Sequence, residues 1–367
     1  MKKLNISSIL ALAVIAAGCC GAPKEASGPA EILQQAAQSG KYLYAMQDAL
    51  CYGQAWHPAE DEQTFEQCDI KAVTGDFPAI AGFDLGGIEL GYEFNLDGVN
   101  FDFMRAAALK HAERGGIVTF SWHLRNPYTG GDAWDVSSDK VVESILPGGD
   151  CHDLFIKWMG RLADFLQSLR NEDSELIPII FRPWHENTGS WFWWGEDLCT
   201  DEQYQALWQM TYDYLAGERG LTDMLWAYSP SSSALKECAM GRYPGDDIID
   251  IIGVDRYAWA HQKELNPGFI EGMRGDLEYL AGVAKEHNLL LAVTETGQEG
   301  QDCPGWWTRE LQPALEGFPV CYVLTWRNAW DEDHPGHWFS SFPGAENEED
   351  FTLFYKSDKT LFLNDIR

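Results

Sequence analysis

Short apolar runs alternate with amphipathic stretches along most of the chain. The run at residues 176–181, LIPIIF, is apolar throughout and shows no two-residue alternation. That pattern is typical of a parallel strand that is covered on both faces. Seven further runs have a similar character. We therefore predict eight strands, at residues 42–46, 79–83, 116–121, 177–181, 224–228, 248–254, 289–294 and 320–325.

Helical patterns lie between several of these strands, with apolar positions spaced to form one buried face. The clearest span residues 102–114, 152–169, 201–216 and 268–286. Thr200 is followed three residues later by Gln203, which predicts a capping box at the start of the third of these helices.

Strands that alternate with helices, without an internal linker, indicate one α/β domain. An open doubly wound sheet normally carries a glycine-rich phosphate turn after its first strand. The chain has only Gly86 and Gly87 in that region, without the G-x-G-x-x-G pattern. A length of 367 residues suits a barrel of eight βα units, which takes roughly 250 residues or more. We therefore predict a single-domain (β/α)8 TIM barrel.

Polar and aromatic residues follow most of the predicted strands, where a barrel enzyme carries its active site. Glu186 follows the fourth strand and Glu295 follows the seventh. We expect these two side chains to meet other strand-end residues around one cleft. The other candidates are Asp84, His123, His185, Asp255, Tyr257, Trp326 and Arg327.

Four aromatic residues lie shortly after Glu186, in the segment SWFWWG. Flat apolar rings beside a carboxylate suit the stacking of a pyranose sugar, although any single ring could simply cap the core. We expect Trp191 and Trp326 to stack on sugars. Trp193 and Trp194 are expected to be partly structural.

Two carboxylates across a barrel mouth are the minimum for cleaving a glycosidic bond, one as acid and one as nucleophile. Glu186, among tryptophans, is expected to keep its proton because burial disfavours the charged form. Glu295 stands between Thr294 and Thr296, whose hydroxyl groups, together with that of Tyr257, are candidate donors to its ionised form. The predicted chemistry needs no cofactor.

Charge and histidine spacing narrow the choice of ligands. The formal net charge of −31 argues against nucleic acid and anionic membrane surfaces as partners, whereas the binding of a neutral polysaccharide does not depend on net charge.

His334 and His337 have a spacing found in metal sites, but no third ligand is evident in the sequence. We expect a solvated loop there and predict no metal site.

The first residues resemble a bacterial lipoprotein signal. Lysines precede an apolar run too short to span a membrane, and Ala-Ala-Gly stands directly before Cys19. We predict a signal peptide at 1–18, a lipidated Cys19 that opens a flexible tether at 19–38, and a catalytic domain at 39–367; ordinary secretory cleavage is the alternative. The protein is then held at the bacterial cell envelope and meets the membrane only through its lipid.

The chain has eight further cysteines, and an oxidising envelope compartment permits disulfides between them. Their spacing does not reveal which cysteines would pair.

Five segments together resemble glycoside hydrolase family 26: FSWH, FRPWHENTGSWFWWG, GVDRYAW, AVTETG and LTWRNAW. The resemblance runs from about residue 42 to the end of the chain, and the second segment is its most specific part. It implies a (β/α)8 retaining enzyme, most often an endo-β-1,4-mannanase, with Glu186 as acid/base and Glu295 as nucleophile. It also implies residues around the cleaved sugar, namely His123, His185, Trp191, Tyr257 and Trp326, with Asp255 and Arg327 in support.

Three functions are compatible with these observations. The leading hypothesis is a monomeric, envelope-anchored retaining β-mannanase that acts on β-mannan or manno-oligosaccharides. A second is a glycan-binding lipoprotein without activity, although a pure binder has no need of both Glu186 and Glu295. A third keeps the mechanism on mixed-linkage β-glucan or xylan. Internal cleavage and release of mannobiose from chain ends are equally open, because loops decide between them.

Overall fold

Eight parallel strands close into a barrel in the computed structural model, which describes residues 28–57, 64–258 and 263–367. The strands are β1 (Tyr42–Gln47), β2 (Ile80–Asp84), β3 (Ile117–Ser121), β4 (Ile179–Arg182), β5 (Leu225–Tyr228), β6 (Ile251–Asp255), β7 (Leu290–Thr296) and β8 (Val320–Thr325). Each strand pairs with the next, and β1 pairs with both β2 and β8, which closes the sheet. A short ninth strand, β9 (Thr360–Leu361), pairs with the start of β1. The predicted (β/α)8 barrel is confirmed.

Helices cover the outside of the barrel. In chain order they are α1 (Pro29–Gln38), α2 (Asp69–Thr74), α3 (Phe101–Glu113), α4 (Val141–Ile145), α5 (His152–Gln167), α6 (Asp201–Tyr212), α7 (Leu235–Cys238), α8 (Pro267–His287), α9 (Gln312–Leu315) and α10 (Glu348–Tyr355). The predicted capping box at Thr200 and Gln203 is present, with both reciprocal hydrogen bonds. Helix α6 then passes directly into a π-helical turn at Asp213–Glu218.

The barrel interior is filled by apolar side chains from all eight strands. Leu33 and Ala36 of α1 belong to the same cluster and are buried. Because α1 comes immediately before β1, it closes the barrel at the amino ends of the strands. The predicted tether at 19–38 is therefore too long, since residues 29–38 are part of the folded domain. The sequence carries a signal for this helix, because the spacing of Leu33 and Ala36 is typical of a helix with one buried face.

All eight predicted strands fall on observed strands, and two of their boundaries differ for physical reasons. Strand β4 begins at Ile179, after Pro178, which has no N–H to donate to a neighbouring strand. Strand β6 begins only at Ile251, because the N–H groups of the two preceding isoleucines, 248 and 249, both bond to the carbonyl oxygen of Gly245 in a turn. The four predicted helices are confirmed to within a few residues.

Seven cysteines lie in the part of the chain that the structure describes, and all seven are free thiols. Disulfide pairing, left open by the sequence, therefore does not occur among these residues. Within the same part of the chain, no helix is both long enough and apolar enough to cross a bilayer.

Candidate active site

A cleft of about 600 Å³ opens at the carboxyl ends of the strands. Eight of the predicted site residues line it: His123, His185, Glu186, Trp191, Tyr257, Glu295, Trp326 and Arg327. Phe192, from the aromatic segment after Glu186, lines it as well, and so do five polar or aromatic residues not predicted to belong to a site: Asp97, Trp134, His334, His337 and Phe339. Cys19 lies outside the described residues.

Glu186 is held in place by an unusual backbone turn after β4. Both Trp184 and Glu186 have positive φ angles, 56° and 54°, which cost about 1–3 kcal/mol each for residues other than glycine. The surrounding structure fixes this turn: the Glu186 N–H donates to the Ser229 carbonyl oxygen at 2.6 Å, and the Tyr204 hydroxyl donates to the Trp184 carbonyl oxygen at 2.6 Å. The Glu186 carboxyl group is thereby aimed into the cleft.

Glu295 lies within β7 rather than after it, and both of its carboxylate oxygens accept hydrogen bonds. Arg182 donates to Oε1, and the Tyr257 hydroxyl donates to Oε2 at 2.6 Å. The predicted contact with Tyr257 is confirmed. The expected contribution of the two threonines is wrong: Thr294 donates to Asp255 at 2.7 Å, and the Thr296 hydroxyl has no hydrogen-bond partner. Neighbours in a strand point to different sides, so they do not serve one carboxylate.

Arg182 is a site residue that is not among the sequence predictions, because it directly follows the apolar run of the predicted strand at 177–181. Arg182 is the last residue of β4, is buried, and pairs with both Glu295 and Asp255. A charged residue at the end of a buried strand was the available signal, since an arginine is almost never buried without a partner. Arg182 therefore supplies the positive charge beside the Glu295 carboxylate.

Asp255 does not line the cleft. It lies buried at the end of β6, where one carboxylate oxygen accepts from Ser229 and Thr294 and the other accepts from Arg182 at 3.2 Å. Burial and the neighbouring Glu295 raise the pKa of Asp255 above its ordinary value, against the effect of Arg182. Asp255 therefore supports the arginine rather than contacting a ligand.

Three carboxylates share this site with one guanidinium. One oxygen each of Glu186, Asp255 and Glu295 lies within 4.8 Å of the other two. Burial, together with the charges of Glu295 and Asp255, raises the pKa of Glu186 well above its usual range. Since Arg182 pairs with Asp255 and Glu295 and not with Glu186, the protonated form of Glu186 is favoured.

The same three carboxylates are also the group that could hold a cation, among the residues that the structure describes. Arg182 already donates to Asp255 and Glu295, so its guanidinium fills the electrostatic role of a bound ion. The donor set therefore fits an internal ion pair better than a metal centre.

His123 and His185 form a short hydrogen-bonded chain beside Glu186. The Nε2 atoms of the two rings lie 3.0 Å apart, and His123 Nδ1 lies 2.6 Å from the carboxylate of Asp84. Burial alone lowers the pKa of His123, but attraction to Asp84 outweighs it and raises that pKa above its ordinary value. Burial and the proximity of His123 hold the pKa of His185 well below its usual range. The ring next to Glu186 is therefore neutral.

Aromatic rings form the walls of the cleft. Trp191 is 38% exposed, and its Nε1 donates to Glu186 Oε2 at 2.5 Å. Trp134, in the loop after β3, is 47% exposed and stacks on His123 at 5.2 Å with an interplanar angle of 11°. Trp193 and Trp194 are fully buried, so they are structural. The cleft thus presents one flat apolar surface beside Glu186 and another beside His123.

Arg327 lines the cleft on the side of β8. Its Nη1 lies 3.0 Å from Asp97 Oδ1 and 3.3 Å from the Tyr52 hydroxyl, which in turn donates to Asp48. These contacts fix the guanidinium at the wall. Trp326, the residue before it, is partly buried and also faces the cleft.

Comparison with known proteins gives consistent results. A family model described as Glycosyl hydrolase family 26 matches residues 35–271. A mannan endo-1,4-beta-mannosidase of Bifidobacterium adolescentis is 32% identical over 315 residues, which are 81% of this chain and 31% of that protein. The chain therefore spans about a third of the length of that relative.

Solved structures extend the likeness to the whole barrel. A GH26 beta-mannanase from Bacteroides ovatus is 42% identical, has a TM-score of 0.83, and matches over 91% of this chain and 94% of that chain. The catalytic domain of a GH26 endo-beta-1,4-mannanase from Bacillus sp. JAMB-750 is 30% identical, with a TM-score of 0.80 over 93% of both chains. With a family model that covers more than half of its length, the chain belongs to glycoside hydrolase family 26.

Proposed function

We propose that the chain is a retaining glycoside hydrolase that cleaves β-1,4-mannosidic bonds in mannans. The observation that carries this proposal is the pairing of Glu186, whose pKa is raised by burial and by neighbouring carboxylates, with an arginine-bound Glu295 across one cleft. Their nearest oxygens lie within 4.8 Å of each other. Retaining enzymes hold their two carboxyl groups about 5–5.5 Å apart, whereas inverting enzymes leave room for a water molecule with roughly 6.5–9.5 Å.

In the first step, a Glu295 oxygen bonds to the anomeric carbon while the bond to the leaving sugar breaks. Glu186 transfers its proton to the departing oxygen. Trp191 occupies Glu186 Oε2, which leaves Oε1 to carry that proton. Each Glu295 oxygen accepts one hydrogen bond and keeps a lone pair for the attack.

In the second step, a water molecule replaces Glu295 at the anomeric carbon. Glu186, now a carboxylate, takes the proton of that water, and Glu295 leaves as a carboxylate beside Arg182. Once Glu295 carries the sugar, its negative charge is absent, so the repulsion that raised the pKa of Glu186 is relieved. Glu186 therefore changes from acid to base at the step that needs a base.

Mannan is the proposed substrate because relatives at 30–42% identity bear the name of mannanases. The test is product analysis on galactomannan, glucomannan, lichenan and xylan side by side. We expect manno-oligosaccharides from the two mannans and little release from the others. If lichenan or xylan releases more oligosaccharide than the mannans, the same mechanism acts on a β-glucan or a xylan. If none of the four polysaccharides is cleaved, the protein is a glycan-binding protein without activity.

Trp191 is expected to act in two ways, as a sugar platform and as a donor to Glu186. Trp191→Ala should cost about 1–3 kcal/mol of transition-state binding, as for the loss of a buried aromatic side chain. Trp191→Phe keeps a ring but removes the hydrogen bond that lowers the pKa of Glu186. The rate falls as pH rises through that pKa, so the alkaline limb of kcat/KM should move to higher pH. Full activity of a folded Trp191→Ala protein on mannan would contradict the assignment.

We further propose that the protein is anchored to the bacterial cell envelope through a lipid on Cys19. The sequence supports this through the Ala-Ala-Gly-Cys junction that follows the apolar run. Cys19→Ala is expected to release the enzyme from the membrane fraction into the soluble fraction, measured by mannanase activity in each. Cys20→Ala is the matched control and should stay with the membrane. Wild-type protein that is recovered without lipid would overturn the proposal.

A further inference from the structure

The loop after β8 brings two histidines to the cleft that neither the family motifs nor the proposed mechanism uses. His334 and His337 both line the cavity that contains Glu186 and Glu295. The expected solvated loop is thus also a wall of the active site. Their rings lie 5.9 Å apart, and no third His, Cys or carboxylate in the described chain completes a close group of metal ligands with them. The pair therefore faces the cleft without forming a metal centre.

The stem of this loop is rigidly attached to the barrel. Asn328 and Trp338 form an antiparallel bridge. The buried Asn328 side chain accepts from the N–H groups of residues 339 and 340 and donates to Asp69 Oδ2 at 2.8 Å. The Trp338 Nε1 donates to the Ala329 carbonyl oxygen at 3.0 Å. The two histidines between these stem residues are therefore presented to the cleft from a fixed base.

The position of the loop indicates which part of a substrate it meets. Strands β4 and β8 are four strands apart in the closed eight-stranded barrel, so their loops face each other across the mouth. Glu186, after β4, protonates the leaving sugar and therefore marks the leaving-group side. The loop after β8, together with Arg327, lies on the opposite side, which leaves it facing the sugars on the other side of the cleaved bond.

We propose that His334 and His337 form a hydroxyl-binding wall for the sugars on the retained side of the cleaved bond, and so determine where along a mannan chain the enzyme cuts. The inference rests on the proposed mannanase function and names a part of its substrate site.

The chemistry of His337 suits neutral sugars. Its ring packs edge-on against Phe339 at 4.8 Å, and its Nδ1 lies 3.8 Å from a Glu299 carboxylate oxygen, beyond hydrogen-bond distance. Burial, with the nearby positive charge of Arg327, lowers its pKa to about 4. A neutral imidazole offers one donor and one acceptor, which matches a pair of sugar hydroxyls.

His334 differs in being more exposed and in having a carboxylate partner within hydrogen-bond distance. Its side chain is 52% exposed, and its Nδ1 lies 2.6 Å from Asp331 Oδ1. That contact fixes the ring and leaves Nε2 for a ligand. The two histidines thus provide two oriented contacts, of which His337 is the more buried and His334 the more exposed.

The test compares His337→Ala and His334→Ala with wild type on mannopentaose labelled with ¹⁸O at its reducing end. Each variant is expected to raise KM roughly three- to tenfold, as for the loss of one hydrogen bond, with the change in KM rather than in kcat. Mass spectrometry of the products should show a shift in the bond that is cut. The exposed position of His334 makes its variant safe for folding.

The matched control is His287→Ala. His287 also pairs with an aspartate, Asp246, at 2.7 Å, but it ends α8 just before β7 and so lies at the opposite end of the barrel. It should keep the wild-type KM and cleavage pattern. If KM and the cleavage pattern are unchanged in both His334→Ala and His337→Ala, the inference about the histidines is wrong. The proposed mannanase function would still hold in that case, provided that the wild-type protein hydrolyses mannan. Failure of wild type to cut mannopentaose would overturn both.

Discussion

Replacing Glu295 by alanine is expected to reduce hydrolysis of every mannoside on the order of 10⁶-fold, the size typical of removing a catalytic nucleophile. Without the carboxylate no glycosyl-enzyme forms, and an improved leaving group does not compensate. The measurement is kcat/KM on mannan and on aryl β-mannosides. Equal loss on both is the expected signature. Residual turnover of the aryl substrates near the wild-type rate would assign the nucleophile to another residue.

Glu186→Ala is the comparison that separates the two carboxylates. Aryl mannosides with good leaving groups should still form the intermediate, because a phenolate departs without a proton. The intermediate should then accumulate, and added azide should release it as a β-mannosyl azide because azide needs no general base. Proton NMR of early wild-type product should show the β anomer first. Early α anomer, or an α-configured azide, would falsify the retaining mechanism.

Arg182→Met is expected to destabilise the protein by about 3–5 kcal/mol, because it leaves Glu295 and Asp255 buried without their cation. Urea denaturation measures this change.

A double variant provides the control for Arg182. Adding Glu295→Gln removes the stranded charge, so the Arg182→Met/Glu295→Gln protein should be more stable than Arg182→Met alone. If the single variant unfolds at the wild-type urea concentration, the ion pair does not have the role assigned to it. If the double variant is no more stable than Arg182→Met, the loss of stability comes from the unpaired Asp255 rather than from Glu295.

The sequence was sufficient to predict the order of the strands and the residues that follow them. Continuous apolar runs are local features, and the carboxyl ends of parallel strands meet at one end of a barrel. Glu186 and Glu295 were therefore identified without knowledge of their separation. The contacts of Glu295 were harder to predict, because Arg182 arrives from β4 and Tyr257 from the end of β6, while Thr294, its neighbour in sequence, serves Asp255 instead.

Residues in long loops were the least predictable part of the site. Trp134 lies eleven positions after His123 in sequence but stacks on its ring, and His337 reaches the cleft only because a stem closes its loop. The spacing of hydrophobic residues does not predict when a loop folds back to the cleft. The monomeric state and the lipid anchor stay predictions from sequence.

Helix α1 determines at which end of the barrel the preceding part of the chain is attached. Leu33 and Ala36 seat the helix against the amino ends of the strands, so the described chain begins at the end farthest from the cleft. A lipid at Cys19 would therefore attach to the end of the barrel opposite the catalytic mouth. A long, stiff polysaccharide could then lie across the mouth at the end of the barrel that carries no attachment to the membrane.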